Sequence, residues 1–294
     1  MNDLPLISII IPAYNHENYI LDCLNSILLQ KYKNIQLIVL NDGSKDNTAK
    51  LICEFKDLNQ QHFNEFIFID KANEGVVATI NKGYHLSKGK YISIIASDDM
   101  MIEGRLLTQI EFMEKNNSFI SCGNSLIIRN DIKTNEAVIT KELKKKYEED
   151  SQFYNLIVNY FISTPTIVMR REVIEEIGLY DNKFFIEDWP YYVKVAKKYK
   201  IDFIDKPFCY YRLHGENTTS NKSKMFNEEK QILRCFFNTY HVPFKIKRQA
   251  LSQLYIRNKG RKTNKLIQKL EIVKSQLIYL DIEKIKNKLK INDV

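Results

Sequence analysis

Ile94-Ile95-Ala96-Ser97-Asp98-Asp99-Met100 decides how this chain is read. An apolar run, Tyr91 to Ala96, has the make-up of a buried strand, and two adjacent carboxylates follow it. Acids at the C-terminal end of such a strand are not core residues. In open α/β sheets that end faces the crevice where ligands bind. Paired oxygen ligands there suit Mg²⁺ or Mn²⁺ and, through the cation, a diphosphate. A solvated turn would place the same two residues in the same order.

Outward from this stretch, the first hundred residues alternate apolar runs with helical patterns. Strands are expected at Ile7–Ile11, Ile35–Leu40, Phe66–Ile69 and Tyr91–Ala96. Helices are expected at Glu17–Gln30, Asp46–Phe55 (with Asp46 as cap) and Val76–Leu86. Strands spaced by helices imply βαβ units and a mostly parallel sheet. Right-handed crossovers then bring all the strand C-termini to one edge. Four polar clusters meet there: Pro12-Ala13-Tyr14-Asn15, Asn41-Asp42-Gly43-Ser44, Lys71-Ala72-Asn73-Glu74-Gly75 and Ser97-Asp98-Asp99. Each alone is ordinary turn chemistry. Four on one edge mark a ligand site.

The middle of the chain is less regular. A helix is expected over Gly104–Lys115 and one or two strands over Phe119–Ile128. The charged stretch Ile132–Asp150 reads as a loop with an exposed helix. A strand at Thr166–Met169, a helix at Glu172–Ile177 stopped by Gly178, and a helix at Asp188–Tyr199 follow. Two short strands close this part, Ile201–Ile204 and Phe208–Arg212. From Met225 the pattern is helical, with Leu266, Leu270, Val273, Leu277 and Leu280 in repeat. The organisation expected is a nucleotide-binding half at 1–100, an acceptor-binding half at 101–220 and a basic helical extension at 221–294.

Composition narrows the class. The formal net charge is +8, with the excess strongest toward the C-terminus, from Lys245-Ile246-Lys247-Arg248 through Lys284-Ile285-Lys286-Asn287-Lys288. That tract is a solvated helical face or a surface for anionic lipid headgroups. It has no interleaved aromatic platform, so nucleic acid is not expected as a partner. The five cysteines are scattered without metal spacing or a disulfide framework, which suits a reducing cytosol. No apolar run is long enough to cross a bilayer, and no leader pattern opens the chain. The expected location is cytoplasmic, with peripheral contact at the inner face of the cytoplasmic membrane through the basic extension.

With these residues in place, the chain resembles the inverting glycosyltransferases of family 2, which have the GT-A fold. The likeness runs from about residue 6 to residue 220, in family order. It begins with Ser8-Ile-Ile-Ile-Pro-Ala-Tyr-Asn15, Val39-Leu-Asn-Asp-Gly-Ser-Lys-Asp46, Asn73-Glu-Gly75 and Ala96-Ser-Asp-Asp99. Gly178-Leu-Tyr-Asp181, Glu187-Asp-Trp189 and Tyr211-Arg-Leu-His214 complete it. The resemblance implies a metal-dependent transfer of a sugar from a UDP- or dTDP-sugar to a hydroxyl of a growing glycan. Lipopolysaccharide, O-antigen or capsule is the product class that goes with it.

Residue by residue, Pro12, Ala13, Tyr14 and Asn15 resemble the loop around the base and ribose, and Asp42 the acid that meets the pyrimidine. Lys71 and Asn73 lie in the segment flanking the base, and Ser97 and Asp98 in the diphosphate motif. Asp98, Asp99 and His214 are the expected ligands of Mn²⁺ or Mg²⁺. Ala96 departs from the family pattern, which often has an acid there. Glu187-Asp188 resembles the pair that supplies the catalytic base. Chemistry asks for such a group, since an inverting transfer needs a carboxylate to take the acceptor proton. The same pair would serve as a helix cap with first-turn acids. Trp189 is either a stacking face for a sugar or a core residue.

Two other classes compete with this reading. A binding or scaffold protein that has lost catalysis is suggested by Ala96. A nucleotidyltransferase would open with a glycine-rich, arginine-containing loop after the first strand, where this chain has Pro-Ala-Tyr-Asn. A dinucleotide-binding dehydrogenase and a P-loop enzyme are excluded by their missing glycine motifs.

Overall fold

The computed structural model describes residues 4–149, 151–215 and 222–257. The expected leucine repeat from Leu266 and the basic tract at Lys284–Lys288 lie outside the described residues. Two compact units are present. One comprises described residues of 1–152 and 161–217, the other those of 153–160 and from 218 onward.

The first unit is an α/β sheet flanked by helices. Its strands are β1 (Ile7–Ala13), β2 (Ile35–Asp42), β3 (Glu65–Lys71), β4 (Tyr91–Ile94), β5 (Met100–Met101), β6 (Ile120–Arg129), β7 (Ile132–Ala137), β8 (Val168–Arg170) and β9 (Asp202–Leu213). The helices that build it are α1 (Ile20–Leu28), α2 (Thr48–Asn59), α3 (Val76–Leu86), α4 (Arg105–Lys115), α5 (Lys141–Glu148), then, after α6 (Gln152–Val158), α7 (Arg171–Ile177) and α8 (Asp188–Ala196). The sheet order is β3-β2-β1-β4-β8-β6-β9-β5, with β7 paired to β6.

The parallel half follows from composition. Ile7, Ile9, Ile10 and Ile11 of β1 are fully buried, as are Leu37 to Leu40 of β2. Strands covered on both faces carry continuous β-branched and aliphatic runs. α1 turns Ile20, Cys23, Leu24 and Ile27 to the core and leaves Leu21, Asp22 and Asn25 outside. β3, β2, β1 and β4 are all parallel, Ile7 facing Ile35 on one side and Tyr91 on the other. The four polar clusters therefore lie on one edge, as expected from the crossover rule.

Two later elements differ from expectation. The charged segment after Arg129 contains a strand, β7, that pairs with β6 across a two-residue turn, Asn130-Asp131, both at positive φ. Short polar residues tolerate that conformation, which makes the hairpin. The two short strands expected around 205 form one strand, β9, whose exposed middle, Asp205 to Pro207, coincides with register shifts against β6. A bulge of this kind is what a break in the apolar pattern reads as in sequence.

Strand direction then locates the rest of the site. β8 runs antiparallel to β4, and β6 antiparallel to β8. β9 is parallel to β6, so β9 ends on the same edge as β1 to β4. β8 begins at that edge, so the 3₁₀ turn Thr164–Thr166 just before it sits there too.

The second unit contains α9 (Lys222–Thr239) and α10 (Phe244–Arg257). Phe226 packs on Tyr255, and Arg257 pairs with Glu229 at 3.1 Å. Among the described residues no helix is long and apolar enough to cross a membrane.

Candidate active site

At the β2 and β3 ends the structure gathers the residues expected around a nucleotide base. Asp42 is buried and accepts from the Glu74 and Gly75 backbone N–H groups, each at 2.9 Å, and from the Lys71 ammonium. Burial alone would raise its pKa. The Lys71 and Glu74 hydrogen bonds and the Lys71 charge outweigh that and hold it below the usual carboxylate range. Asn73 donates its amide to the Asp42 carbonyl oxygen at 2.8 Å. Gly43 permits this closure: φ is +71°, and a Cβ there would lie 2.7 Å from the Asn73 nitrogen.

The loop after β1 is stitched to the loop after β2. The Asn15 N–H donates to Ser44 Oγ at 2.9 Å, and Asn15 Oδ1 accepts from the Lys45 N–H at 2.8 Å. His16 N–H donates to Thr48 Oγ1 and Glu17 N–H to Asp46 Oδ2. Asp46 also accepts from the Thr48 N–H at 3.0 Å, but it stands one residue before the cap position expected of it, which Asn47 occupies without a side-chain capping bond. Pro12 and Ala13 line up with Leu40 and Asn41 in the sheet, while Tyr14 projects from it, 43% exposed.

Beyond β4 the chain makes the acid turn, closed by the Asp99 N–H to the Ala96 carbonyl at 3.1 Å. It then enters β5, which pairs with β9, so the turn lies against the β9 terminus. Asp98 Oδ2 is 2.9 Å from His214 Nε2. His16 comes in from the β1 loop, its Nδ1 2.7 Å from Ser97 Oγ. One ligand atom from each of His16, Asp98 and His214 lies within 4.8 Å of the others. Imidazole nitrogen and carboxylate oxygen are a donor set that fits a divalent transition cation.

Asp99 is not brought into this group. It is buried beneath the turn, where its Oδ1 accepts from the Arg212 N–H at 3.0 Å. Burial and the neighbouring Asp98 charge push its pKa well above the usual range. Arg212 ties the turn down from the other side. It donates to the Asp98 carbonyl oxygen at 3.0 Å and pairs with Asp22 and Asp131. Its guanidinium also lies over Tyr19, whose ring packs on His214. The residues around this arginine line an open cleft of about 590 Å³, Tyr19, Asp22, Met100 and Asp131 among them.

The second acidic pair stands at the start of α8. Asp188 Oδ2 accepts from the Thr164 hydroxyl at 2.8 Å, and Oδ1 from the Trp189 N–H at 2.7 Å. Because Thr164 lies in the turn before β8, Asp188 is held at the edge where Asp98 lies. Glu187 precedes the helix, and burial together with the Asp188 charge pushes its pKa up to about 8. Trp189 is only 2% exposed, which commits its indole to packing. Tyr191 and Tyr192 are likewise buried, against Tyr180.

Two residues of this site escaped sequence reasoning. His16 sits one place past the cluster ending in Asn15, and it is the one histidine in that loop. Thr164 belongs to a segment with no motif, and only the fold brings it to Asp188.

Residues 8–178, more than half the chain, match the family model "Glycosyl transferase family 2". The chain belongs to that family and is a transferase enzyme. An uncharacterized glycosyltransferase of Haemophilus influenzae is 30% identical over 253 residues, 82% of this chain and 76% of that protein. Escherichia coli WfgD is a UDP-Glc:alpha-D-GlcNAc-diphosphoundecaprenol beta-1,3-glucosyltransferase. It is 29% identical over 234 residues, 79% of this chain and 86% of WfgD. Among solved structures, S. aureus TarS 1–349 superposes with a TM-score of 0.66 at 18% identity, covering 90% of this chain and 77% of that one. Against the longer TarS chain the coverage of that chain is 42%. The mannosyltransferase PcManGT of Pyrobaculum calidifontis, in complex with GDP-Man and Mn²⁺, gives 0.63 at 12% identity, over 99% and 89% of the two chains. The fold is GT-A.

Proposed function

We propose that this chain is a metal-dependent inverting glycosyltransferase. In this reading it moves a sugar from a UDP- or dTDP-sugar to a hydroxyl of a growing surface glycan of the lipopolysaccharide, O-antigen or capsule kind. The observation that carries the reading is the division of acids along one sheet edge. Asp98 faces two histidines, and Asp188 is held apart on another element by Thr164.

The division matches what the reaction needs. The Asp188 carboxylate takes the proton of the acceptor hydroxyl as that oxygen attacks the anomeric carbon. The new glycosidic C–O bond forms on one face. On the opposite face the bond from the anomeric carbon to the diphosphate oxygen breaks with its electron pair, and the nucleoside diphosphate leaves. Configuration inverts, and Asp188 later returns its proton to solvent. A divalent cation held by Asp98 and His214 would supply positive charge for the departing diphosphate. In the donor pocket, Asp42 and the Pro12–Asn15 loop take the base and ribose, with Lys71, Asn73 and Ser97 around them. Residues 1–100 thus hold the donor, and 101–220 the acceptor and base.

A uridine donor is supported by two relatives, WfgD by its name and TarS by its complexes with UDP-GlcNAc and UDP. The diphosphoundecaprenol in the WfgD name supports a lipid-linked acceptor. Exposed Lys245 and Arg248 on α10 support peripheral contact with anionic lipid on the cytoplasmic side.

The test is calorimetric titration of UDP, dTDP and GDP, with and without Mn²⁺, into wild type and Asp98→Ala. Metal-dependent binding of UDP or dTDP, lost in the variant, is the expected result. Binding of none of the three overturns the donor assignment.

A further inference from the structure

We propose that His16 is a cation ligand, and that His16, Asp98 and His214 form a two-imidazole, one-carboxylate set selecting a first-row transition cation over Mg²⁺. The inference rests on the metal-dependent donor site proposed above and names the cation it takes.

Three separated segments deliver these side chains: the loop after β1, the turn after β4 and the end of β9. His214 Nε2 and Asp98 Oδ2 are 2.9 Å apart. Two ligands at right angles on a cation, with bonds of about 2.1 Å, stand roughly 3 Å apart. His16 meets the same point, its ring at 89° to that of His214 with centroids 5.8 Å apart. Ligating histidines characteristically engage the other ring nitrogen with an outer partner that fixes tautomer and orientation. Ser97 Oγ, 2.7 Å from His16 Nδ1, occupies that position.

Sequence and structure together explain why an imidazole is needed. Ala96 offers no ligand where the family motif often has an acid. Asp99 is buried and bonded to the β9 backbone. That leaves one carboxylate of the acid turn, Asp98, facing the site. Mg²⁺ favours oxygen ligands and near-ideal octahedral sites, whereas imidazole favours the later divalent metals. Affinity is expected to rise from Mn²⁺ through Fe²⁺ to Co²⁺.

The test uses the full chain with UDP, MnCl₂, CoCl₂ and MgCl₂. Pulsed electron paramagnetic resonance of the Mn²⁺ complex counts coordinated imidazole nitrogens, and titration gives the affinities. Wild type is expected to show two nitrogens, to bind Co²⁺ at least as tightly as Mn²⁺, and to prefer both over Mg²⁺. His16→Ala should show one nitrogen and lose at least about tenfold of the Mn²⁺-over-Mg²⁺ preference. A single nitrogen in wild type overturns the inference without needing any variant, and leaves the donor reading standing if Mn²⁺ still promotes UDP binding. No metal-promoted UDP binding in wild type overturns both.

Discussion

Adjacent acids occur twice on the working edge of the sheet, and the two pairs settle their mutual repulsion differently. In the turn after β4, Asp99 is drawn under the chain to the Arg212 N–H, and burial with the Asp98 charge raises its pKa. Asp98 is the member that faces His16 and His214. At the start of α8, Glu187 is pushed up to about 8 by burial and the Asp188 charge, while Asp188 accepts from Thr164 and Trp189. Of two neighbouring buried carboxylates, one is held protonated well above its usual range. On the proposed reading each pair has a working acid and a supporting one, in reversed order: the first acid works in the turn, the second on the helix. Backbone geometry underlies this, since the turn sets Asp98 beside His16 and His214 and the helix start sets Asp188 against Thr164.

The sharpest way to break the comparison is to neutralise each acid singly. Asp188→Asn is expected to lower transfer by about 10²- to 10⁴-fold, the usual contribution of a general base, with donor affinity unchanged by titration. Equal loss in Glu187→Gln, with Asp188→Asn active, would reverse the assignment. In the other pair, Asp98→Asn should weaken Mn²⁺-dependent UDP binding by on the order of 100-fold, since even outer-shell changes cost about 10- to 100-fold. Asp99→Asn keeps an oxygen for the Arg212 N–H and should leave that binding nearly intact. If both asparagine variants lose the cation equally, the turn has no supporting member.

How much of this was readable beforehand follows from the same contrast. The parallel half was legible because its signals are local. Strands β1 and β2 are runs of buried, mostly aliphatic residues, helices α1 and α3 have one apolar face, and crossover handedness fixes a common edge. Asp98, Asp42 and Lys71 fall on that edge by strand position alone. What sequence could not show depends on strands that are distant in the chain. Asp99 turns away from His16 and His214 because β9, more than a hundred residues later, presents a backbone N–H beneath it. Thr164 reaches Asp188 because β8 runs against β4. The β7 hairpin was hidden by its charge, since Ile132 to Ala137 are almost all exposed on a sheet edge.

A smaller effect tests what Thr164 does for its acid. A hydrogen bond to the charged form of a carboxylate lowers its pKa. Removing it with Thr164→Val should raise the acid limb of the rate profile, so the rate falls first at low pH. The loss at neutral pH is expected to be about tenfold, the lower range for a hydrogen bond to a charged group. Thr164→Ser should restore both rate and profile. A loss in Thr164→Val with an unshifted limb would mean that Thr164 supports the local fold and not the base.

The smallest change in transfer is expected from Glu187→Gln, and there the informative reading is stability. Burial and the Asp188 charge push the Glu187 carboxyl up to about 8 in the folded chain, against 4.5 for an ordinary glutamate. Between those values the native state holds a proton that the unfolded state has released. The favourable contribution of the protonated group is therefore complete below about pH 4.5 and is lost as pH rises toward 8. Glutamine carries no such proton and keeps its contribution constant. Melting curves of the two proteins should nearly coincide at about pH 5 and separate by pH 8, with the glutamine variant the more stable. A gap that stays constant with pH would mean that Glu187 is ionised throughout. The helix pair would then carry two charges at neutral pH, and its division into a working and a supporting acid would fail while that of the turn pair stood.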